Sequence, residues 1–316
     1  MLENKKLSIA NFNCTFGKDN EPMLEHFEDI ILPAFQQDII RENKGSTYFF
    51  ENIKILMTKG EFVLAGLLIK RTKLEVKSIY REGEGLTRTH EIYPSDPYSY
   101  FLINLKNHRM VLVKNQKGSP TLANFSSTSK HLLQSYIRLY NEKVNDKEEK
   151  LPSVHLNIVA IPFEGVIKEE LKKVAKIQNV TLRFYPLNGD ISNNDTFIHL
   201  TEILDDVESG SGSVQINTPD NKNKVAEILD DTKGLVKPSI RVKYKDGSRK
   251  TLKDDSFTEE MDISLDDDES FDENIDNIAG KVINKQEFNE ISEGNKRIYD
   301  KFFGAIEKLY YKYLSK

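Results

Sequence analysis

Residues 6–16, "KLSIANFNCTF", alternate apolar and polar positions and are rich in β-formers, which predicts an opening strand. In "EPMLEHFEDIILPAF" the rhythm changes. Leu24, Phe27, Ile30 and Ile31 recur at helical spacing, and Pro33 is expected to end or kink that helix. A long β-rich tract follows. "TYFFENIKILMT", "EFVLAGLLIK" and "KLEVKSIY" read as three strands, with "KGE" and "KRT" as tight connections and "REGEG" as a turn. "LTRTHEIY" reads as the next strand, closed by "PSDP". "SYFLINL" and "RMVLVKN" flank "KNH", a hairpin pattern in which Asn107 is expected to take the left-handed conformation. Pro94, Pro97 and Pro120 sit outside its strands, where proline interrupts no ladder. Leu132, Leu133, Tyr136, Ile137 and Tyr140 then mark one face of a helix.

A charged tail ending in proline puts the expected domain boundary near residue 150. Beyond it, "VHLNIVAIP", "VTLRFYPL", "GSVQINT" and a hairpin about Asp246-Gly247 read as strands. "IKEELKKVAKIQ", with Val166, Leu171, Val174 and Ile177 inward, reads as a helix, as do "TFIHLTEILDDV" and "KNKVAEILDDTKG". With the middle helix set aside, the order matches the split-βαβ, ferredoxin-like plan (βαβ–βαβ). Residues 254–276 hold twelve Asp and Glu and read as a solvated loop, with the basic front half as an alternative resting place. They fail as a calcium loop, having no glycine at the turn position and no closing glutamate. From about residue 283 a terminal helix carries Ile291, Ile298, Phe302, Ala305 and Leu309 on one face. That stripe is expected to pack on its own domain or to join a second copy. The fold class expected is α+β: a mainly antiparallel sheet with flanking helices over 1–150, then a ferredoxin-like domain over 151–316 with an acidic insertion and a long terminal helix.

Composition narrows the setting. Cys14 is the single cysteine of the 316 residues, so an internal disulfide and a cysteine-based zinc site are both out. No apolar leader segment stands in "MLENKKLSIANFNC", and "FVLAGLLI" is too short to cross a bilayer. A cytoplasmic protein without membrane insertion is the expectation. Net charge is −5, yet residues 1–150 hold 22 Lys and Arg against 19 Asp and Glu. A mildly basic front half on an acidic back half points toward a polyanion partner.

Phosphate-cradling glycine motifs, nucleophile elbows and paired-histidine zinc motifs are absent from the sequence. Two catalytic constellations remain. Glu75-x-Lys77 resembles the E-x-K pair of metal-dependent nucleases, in which the carboxylate holds Mg²⁺ and the lysine steadies the attacking water. A further acid is needed, and Glu61 is the one at hand. His90 and His108 could serve metal-independent acid–base cleavage if their strands pair. The richer signal is cationic. Ten Lys and Arg against five Asp and Glu lie between Lys70 and Lys117. Lys70, Arg71, Lys73, Lys77, Arg81, Arg88, Lys106, Arg109 and Lys114 are the candidate contacts to phosphate, and Tyr80, Tyr93, Tyr98 and Tyr100 the candidate stacking partners. The strands of the second half lack the paired aromatics of an RRM sheet.

At "PSDPYSYFLINLKNHRMVLVKNQKGSP" the chain resembles bacterial proteins that accompany phage-defence and mobile-element loci. The similarity covers the β-rich front half and its pairing with a smaller α/β back half. It implies a role in antiviral defence through nucleic acid or a partner protein, and it carries no catalytic residue across. The expectation is therefore a non-catalytic component that binds DNA or RNA, without cofactor, as a homo-oligomer or with a partner protein. A nuclease, with Mg²⁺ in the metal-dependent case, and a pure protein-interaction subunit are the alternatives.

Overall fold

The computed structural model describes residues 2–188, 195–258 and 260–314. The chain is α+β. Its first part runs β1 (Leu2–Phe16), β2 (Glu21–Pro22), a helical stretch closed by α1 (Leu32–Gln36), β3 (Arg41–Asn43), β4 (Ser46–Thr58), β5 (Glu61–Arg81), β6 (Gly85–Ser95), β7 (Tyr98–Asn104), β8 (Arg109–Lys114), α2 (Leu122–Asn141) and β9 (Val154–Ala160). Then come α3 (Glu164–Lys173), β10 (Val174–Phe184), α4 (Asp195–Asp206), β11 (Gly212–Asn217), α5 (Lys222–Asp230), β12 (Lys237–Tyr244), β13 (Arg249–Lys253), β14 (Met261–Asp266), α6 (Phe271–Val282), α7 (Gln286–Asn289) and α8 (Glu293–Leu314). Ten strands form one curled sheet in the order β14-β1-β8-β7-β5-β4-β3, with β2 and β9 also on β1 and β6 on β5. A four-stranded sheet runs β11-β10-β12-β13, antiparallel at every pairing.

The large sheet is covered on both faces, which is why its central strands are apolar without interruption. In β8, Met110 and Leu112 enter one core while Val111 and Val113 enter the other. Phe62 and Leu64 of β5 do the same against Val63 and Ala65. The first core is closed by the helical stretch 23–36, α2 and α8; the second by α6 and α7. Pro33 does not stop its helix. It lacks the N–H that would bond to Asp29, the preceding turn widens so that Leu32 N–H reaches Phe27, and the Tyr136 hydroxyl of α2 donates to the freed Asp29 carbonyl at 3.0 Å.

Four sequence expectations change. "EFVLAGLLIK" and "KLEVKSIY" are a single 21-residue strand, because "KRT" holds no residue that favours a reversal. The ferredoxin-like plan fails. β9 belongs to the large sheet, pairing with residues 10–16 of β1, and the order β11-β10-β12-β13 is not that of a split βαβ unit. "VAKIQ" continues no helix. Val174, Ile177 and Val180 are buried residues of β10, spaced by three because irregularities interrupt its pairing between Val174 and Lys176 and again between Ile177 and Asn179. A bulged strand thus imitates a helical period. The sheets also do not divide at residue 150, since β14 returns to pair with residues 2–7 of β1.

The acidic segment is not a loop. It supplies β14, whose Met261, Ile263 and Leu265 are buried, and the start of α6. Its carboxylates meet lysines of the front half: Asp262 with Lys6 at 2.8 Å, Asp267 with Lys5 at 2.7 Å, Asp272 with Lys54 at 2.8 Å, Asp276 with Lys59 at 3.3 Å and Glu260 with Lys114 at 2.6 Å. The terminal helix covers its own stripe. Tyr299, Ile306 and Leu309 are buried in the first core, and Phe62 meets the rings of Phe303 and Tyr310 at 5.4 Å. Ala305, expected inward, is exposed.

Gly66 is the tight point of the sheet. A Cβ there would stand 2.8 Å from the ring of Phe101, its cross-strand partner, and closer still to Ile53. Gly66→Ala is expected to lower stability by about 1–3 kcal/mol through overpacking, read as a lower denaturant midpoint at unchanged slope; an unchanged midpoint would contradict this packing.

Candidate nucleic-acid interface: a lysine-lined cleft and a projecting ribbon

Up to Ile69, β5 lies inside the sheet between β4 and β7, and it stays paired with β4 to Arg71. From Thr72 to Arg81 it pairs with β6 alone, so residues 72–95 leave the body as a two-stranded ribbon. The register changes between Val76/Glu91 and Ser78/Arg88, which places Thr89 and His90 opposite Lys77 as a bulge in β6. One face carries Leu74, Val76, Tyr80, Leu86 and Tyr93; the other Lys73, Glu75, Lys77, Ile79 and Ile92. Tyr80 and Leu86 are 72% and 73% exposed. Lys73, Lys77, Arg81 and Arg88 are spread along the ribbon, interleaved with Glu75, Glu82, Glu84 and Glu91, so its charge is mixed. At the root, Arg71 meets Asp96 at 3.2 Å and covers the ring of Phe49.

Cations concentrate beside this root. Two adjoining clefts of about 590 and 610 Å³ share Lys114 and Thr121. The first is lined by Lys5, Lys6, Lys70 and Lys117, the second by Arg183, Lys237 and Lys253 from the small sheet. Three carboxylates, Asp254, Asp255 and Glu260, lie along the second. Lys5, Lys6 and Lys114 are already held by acids. Lys70, Lys117, Arg183, Lys237 and Lys253 have no carboxylate in ion-pair contact among the described residues, and Arg183 bonds the Ser211 hydroxyl at 3.2 Å. The first turn of α2 closes the floor, with Thr121 as its N-cap and Leu122 and Ala123, the next two residues, lining the second cleft. A helix N-terminus adds partial positive charge there. Burial raises the Asp254 carboxyl above its ordinary pKa, against the pull of Lys237 and the Ala160 N–H.

The predicted residues separate into three groups. Lys70 and Lys114 line the clefts. Arg71 stands at the root of the ribbon, and Lys73, Lys77, Arg81 and Arg88 lie on it. Lys106 and Arg109 stand elsewhere: Lys106 is held by Glu61 at 2.8 Å, and Arg109 is 4% exposed with Nη1 donating to the Lys233 carbonyl at 3.1 Å. Of the tyrosines, Tyr80 and Tyr93 are exposed, whereas Tyr100 is buried and Tyr98 leans on it. Lys117 ends the same basic run as Lys70 and Lys114 but was not among the candidates, and Lys5, Lys6, Arg183, Lys237 and Lys253 were missed. They come from separate stretches of the chain, and no local pattern joins them; the topology alone does.

The catalytic constellations do not assemble. Glu61 is fourteen residues before Glu75 on the same strand, roughly 45 Å at 3.3 Å per residue, and it is engaged by Lys106 and Asn104. Among the described residues no three His, Cys, Asp or Glu are grouped as metal ligands. His90 is on the exposed ribbon, and β6 pairs with β5 rather than with β8. His108 is fully buried in the β7–β8 turn. It, not Asn107, takes the left-handed conformation, with φ of 57°. Asn107 is spent otherwise, donating to the Phe288 carbonyl at 2.6 Å and accepting from Arg109 N–H at 3.1 Å. Asn188 Nδ2 donates to His108 Nδ1 at 3.0 Å, and Asn188 is tied in turn to Asn13 and Met23.

No family model matches the chain, and no curated protein matches it. Among the described residues no helix is long and apolar enough to cross a membrane.

Burial, reinforced by the charge of Arg109, pushes the His108 pKa down to about 3. The ring is therefore neutral in the fold and takes up a proton only on unfolding. Its contribution is fully present above the unfolded pKa of about 6.5 and is lost as pH falls from there toward 3. Between pH 7 and 5 the wild type is expected to lose about 2 kcal/mol more than His108→Asn, which tolerates the same backbone. Urea unfolding at several pH values measures the difference; parallel pH profiles would contradict a buried neutral ring.

Proposed function

We propose that this protein binds nucleic acid through its phosphate backbone, along the lysine-lined cleft at the root of the ribbon, without cleaving it. The observation that carries this reading is the convergence of Lys70, Lys117, Arg183, Lys237 and Lys253, from both sheets, around the first turn of α2. A cleft in which cations outnumber carboxylates favours an extended polyanion over a neutral ligand, and among the described residues its walls hold no aromatic side chain to stack on a base. The ribbon's Lys73, Lys77, Arg81 and Arg88, with Tyr80 and Tyr93, extend the same surface outward. The non-catalytic part of the reading rests on the separation of Glu75 from Glu61 and of His90 from His108. In the setting that the resemblance to phage-defence proteins implies, such a component would recognise the nucleic acid of an invader.

Fluorescence anisotropy with single- and double-stranded DNA and RNA tests it. About four phosphate contacts predict a loss of roughly a hundredfold in affinity between 50 and 200 mM salt. Lys70→Ala, Lys117→Ala and Lys237→Ala should each reduce the salt slope by about one, while Lys106→Ala, on the far end of the sheet, should leave it unchanged. Strand scission in the presence of Mg²⁺ would replace this reading with a nuclease. Absence of binding at either salt would replace it with a protein-interaction role.

A further inference from the structure

The ribbon leaves one long edge of β5 uncovered among the described residues. Beyond Thr72, among the described residues, no strand lies beside β5 on the side that β4 occupies within the body. The two exposed edges of the ribbon differ. β6 is interrupted by its bulge at Thr89 and His90 and by Pro94, devices that keep an edge from pairing. Residues 75–81 of β5 contain neither proline nor glycine and no bulge of their own, and on that side they have no partner strand among the described residues.

We propose that residues 75–81 of β5 pair antiparallel with the same residues of a second copy of this chain, about a two-fold axis at Ser78. Sterics and charge select that register together. The lane beside Thr72 is filled by Ser46, whose hydroxyl lies 3.1 Å from that of Thr72, so an incoming strand has room only outward of about Leu74. A two-fold axis normal to the sheet sets like faces side by side, which permits only registers centred on a residue. The axis at Ser78 uses all of residues 75–81. It sets Glu75 opposite Arg81 of the second copy, and Arg81 opposite its Glu75. Moving the axis outward to Ile79 would oppose Lys77 and Arg81. Moving it inward to Lys77 would oppose two lysines and drive the second ribbon's tip toward Ser46. The same register pairs Val76 with Tyr80 twice, a β-branched–aromatic contact on the face that also carries Leu74 and Leu86. Arg81 is available for this, since its own contact with Glu84 is an exposed one at 3.6 Å.

The paired strands would form a four-stranded sheet from the two ribbons, joined by a main-chain ladder as in β-strand addition. The Glu75 positions would lie roughly 20 Å apart along the strands, with the two bodies at opposite ends.

Sedimentation equilibrium on the full chain over a wide concentration range tests the pairing. The wild type should be a reversible dimer. Glu75→Arg and Arg81→Glu should each weaken it by roughly tenfold or more, because each puts like charges opposite one another twice. The double variant, Glu75→Arg with Arg81→Glu, should restore it. Ser78→Cys should form an intermolecular disulfide on mild oxidation; Cys14 is fully buried and does not compete. A wild type that stays monomeric throughout, or charge reversals that leave the dimer unchanged, would overturn the proposal. So would a monomer whose nucleic-acid affinity changes with these reversals, which would assign the ribbon edge to the binding surface instead.

Discussion

Strand β1 is hydrogen-bonded along its whole length to partners from three distant parts of the chain, residues 2–7 to β14, 6–11 to β8 and 10–16 to β9, and its last two residues pair with the neighbouring β2. Most of these pairings span more than a hundred residues, Lys6 with Lys114 and Leu7 with Met261 among them. Their loop-closure entropy is offset only when both cores close over β1, so the sheet is a late and cooperative product of folding. The cleft follows from the same constraint. On one edge of β1, β14 ends at Leu7 and β9 begins at Ala10. At that change of partner the chain leaves for the small sheet and returns, and Ser8, Ala160 and Asp254 line the opening left between.

Charge acts within this frame. The surplus of positive charge in the front half is met largely inside the molecule, by the carboxylates that follow the small sheet. Exposed pairs of this kind contribute about 0–1 kcal/mol each, so their effect is on placement more than on stability. They draw β14 and α6 onto the lysine-bearing side of the large sheet. Lys5 differs, being 2% exposed and bonded to both Asn115 and Asp267. Once these pairs are made, Lys70, Lys117, Arg183, Lys237 and Lys253 still line the clefts without a carboxylate in ion-pair contact among the described residues, and other such cations lie on the ribbon and over the rest of the surface.

Much of the strand content was legible in the sequence, and the reasons for the errors are local. Runs such as "RMVLVKN" and "SYFLINL" are apolar throughout because both faces are buried, and they read correctly as strands. Strand continuity was harder. At Lys70, Arg71 and Thr72 the burial of β5 ends while its conformation does not, and a change from apolar to charged residues resembled a turn. In β10 the backbone irregularities shifted the buried positions to a period of three, the signature of a helix. Sheet membership was out of reach, because β9 and β14 join the large sheet through pairings with no sequence marker. The candidate site divides in the same way. Lys70 and Lys114 were named from a local run of charge; Arg183, Lys237 and Lys253 face them only because a second sheet is set against the first.

The ribbon owes its order to the strand that enters it. An isolated two-stranded hairpin is marginal in water, since it buries too little to offset the entropy of its backbone. Here one of its two strands is the continuation of β5, which is fixed in both cores from Phe62 to Leu68. The body thus sets the direction of residues 72–81, and β6 need only pair along a strand already extended. The apolar residues that remain exposed, Tyr80 and Leu86 above all, are not required to hold the ribbon up. Their presence on a segment anchored from elsewhere, together with the charge pattern of its open edge, is what directs attention to something outside the chain.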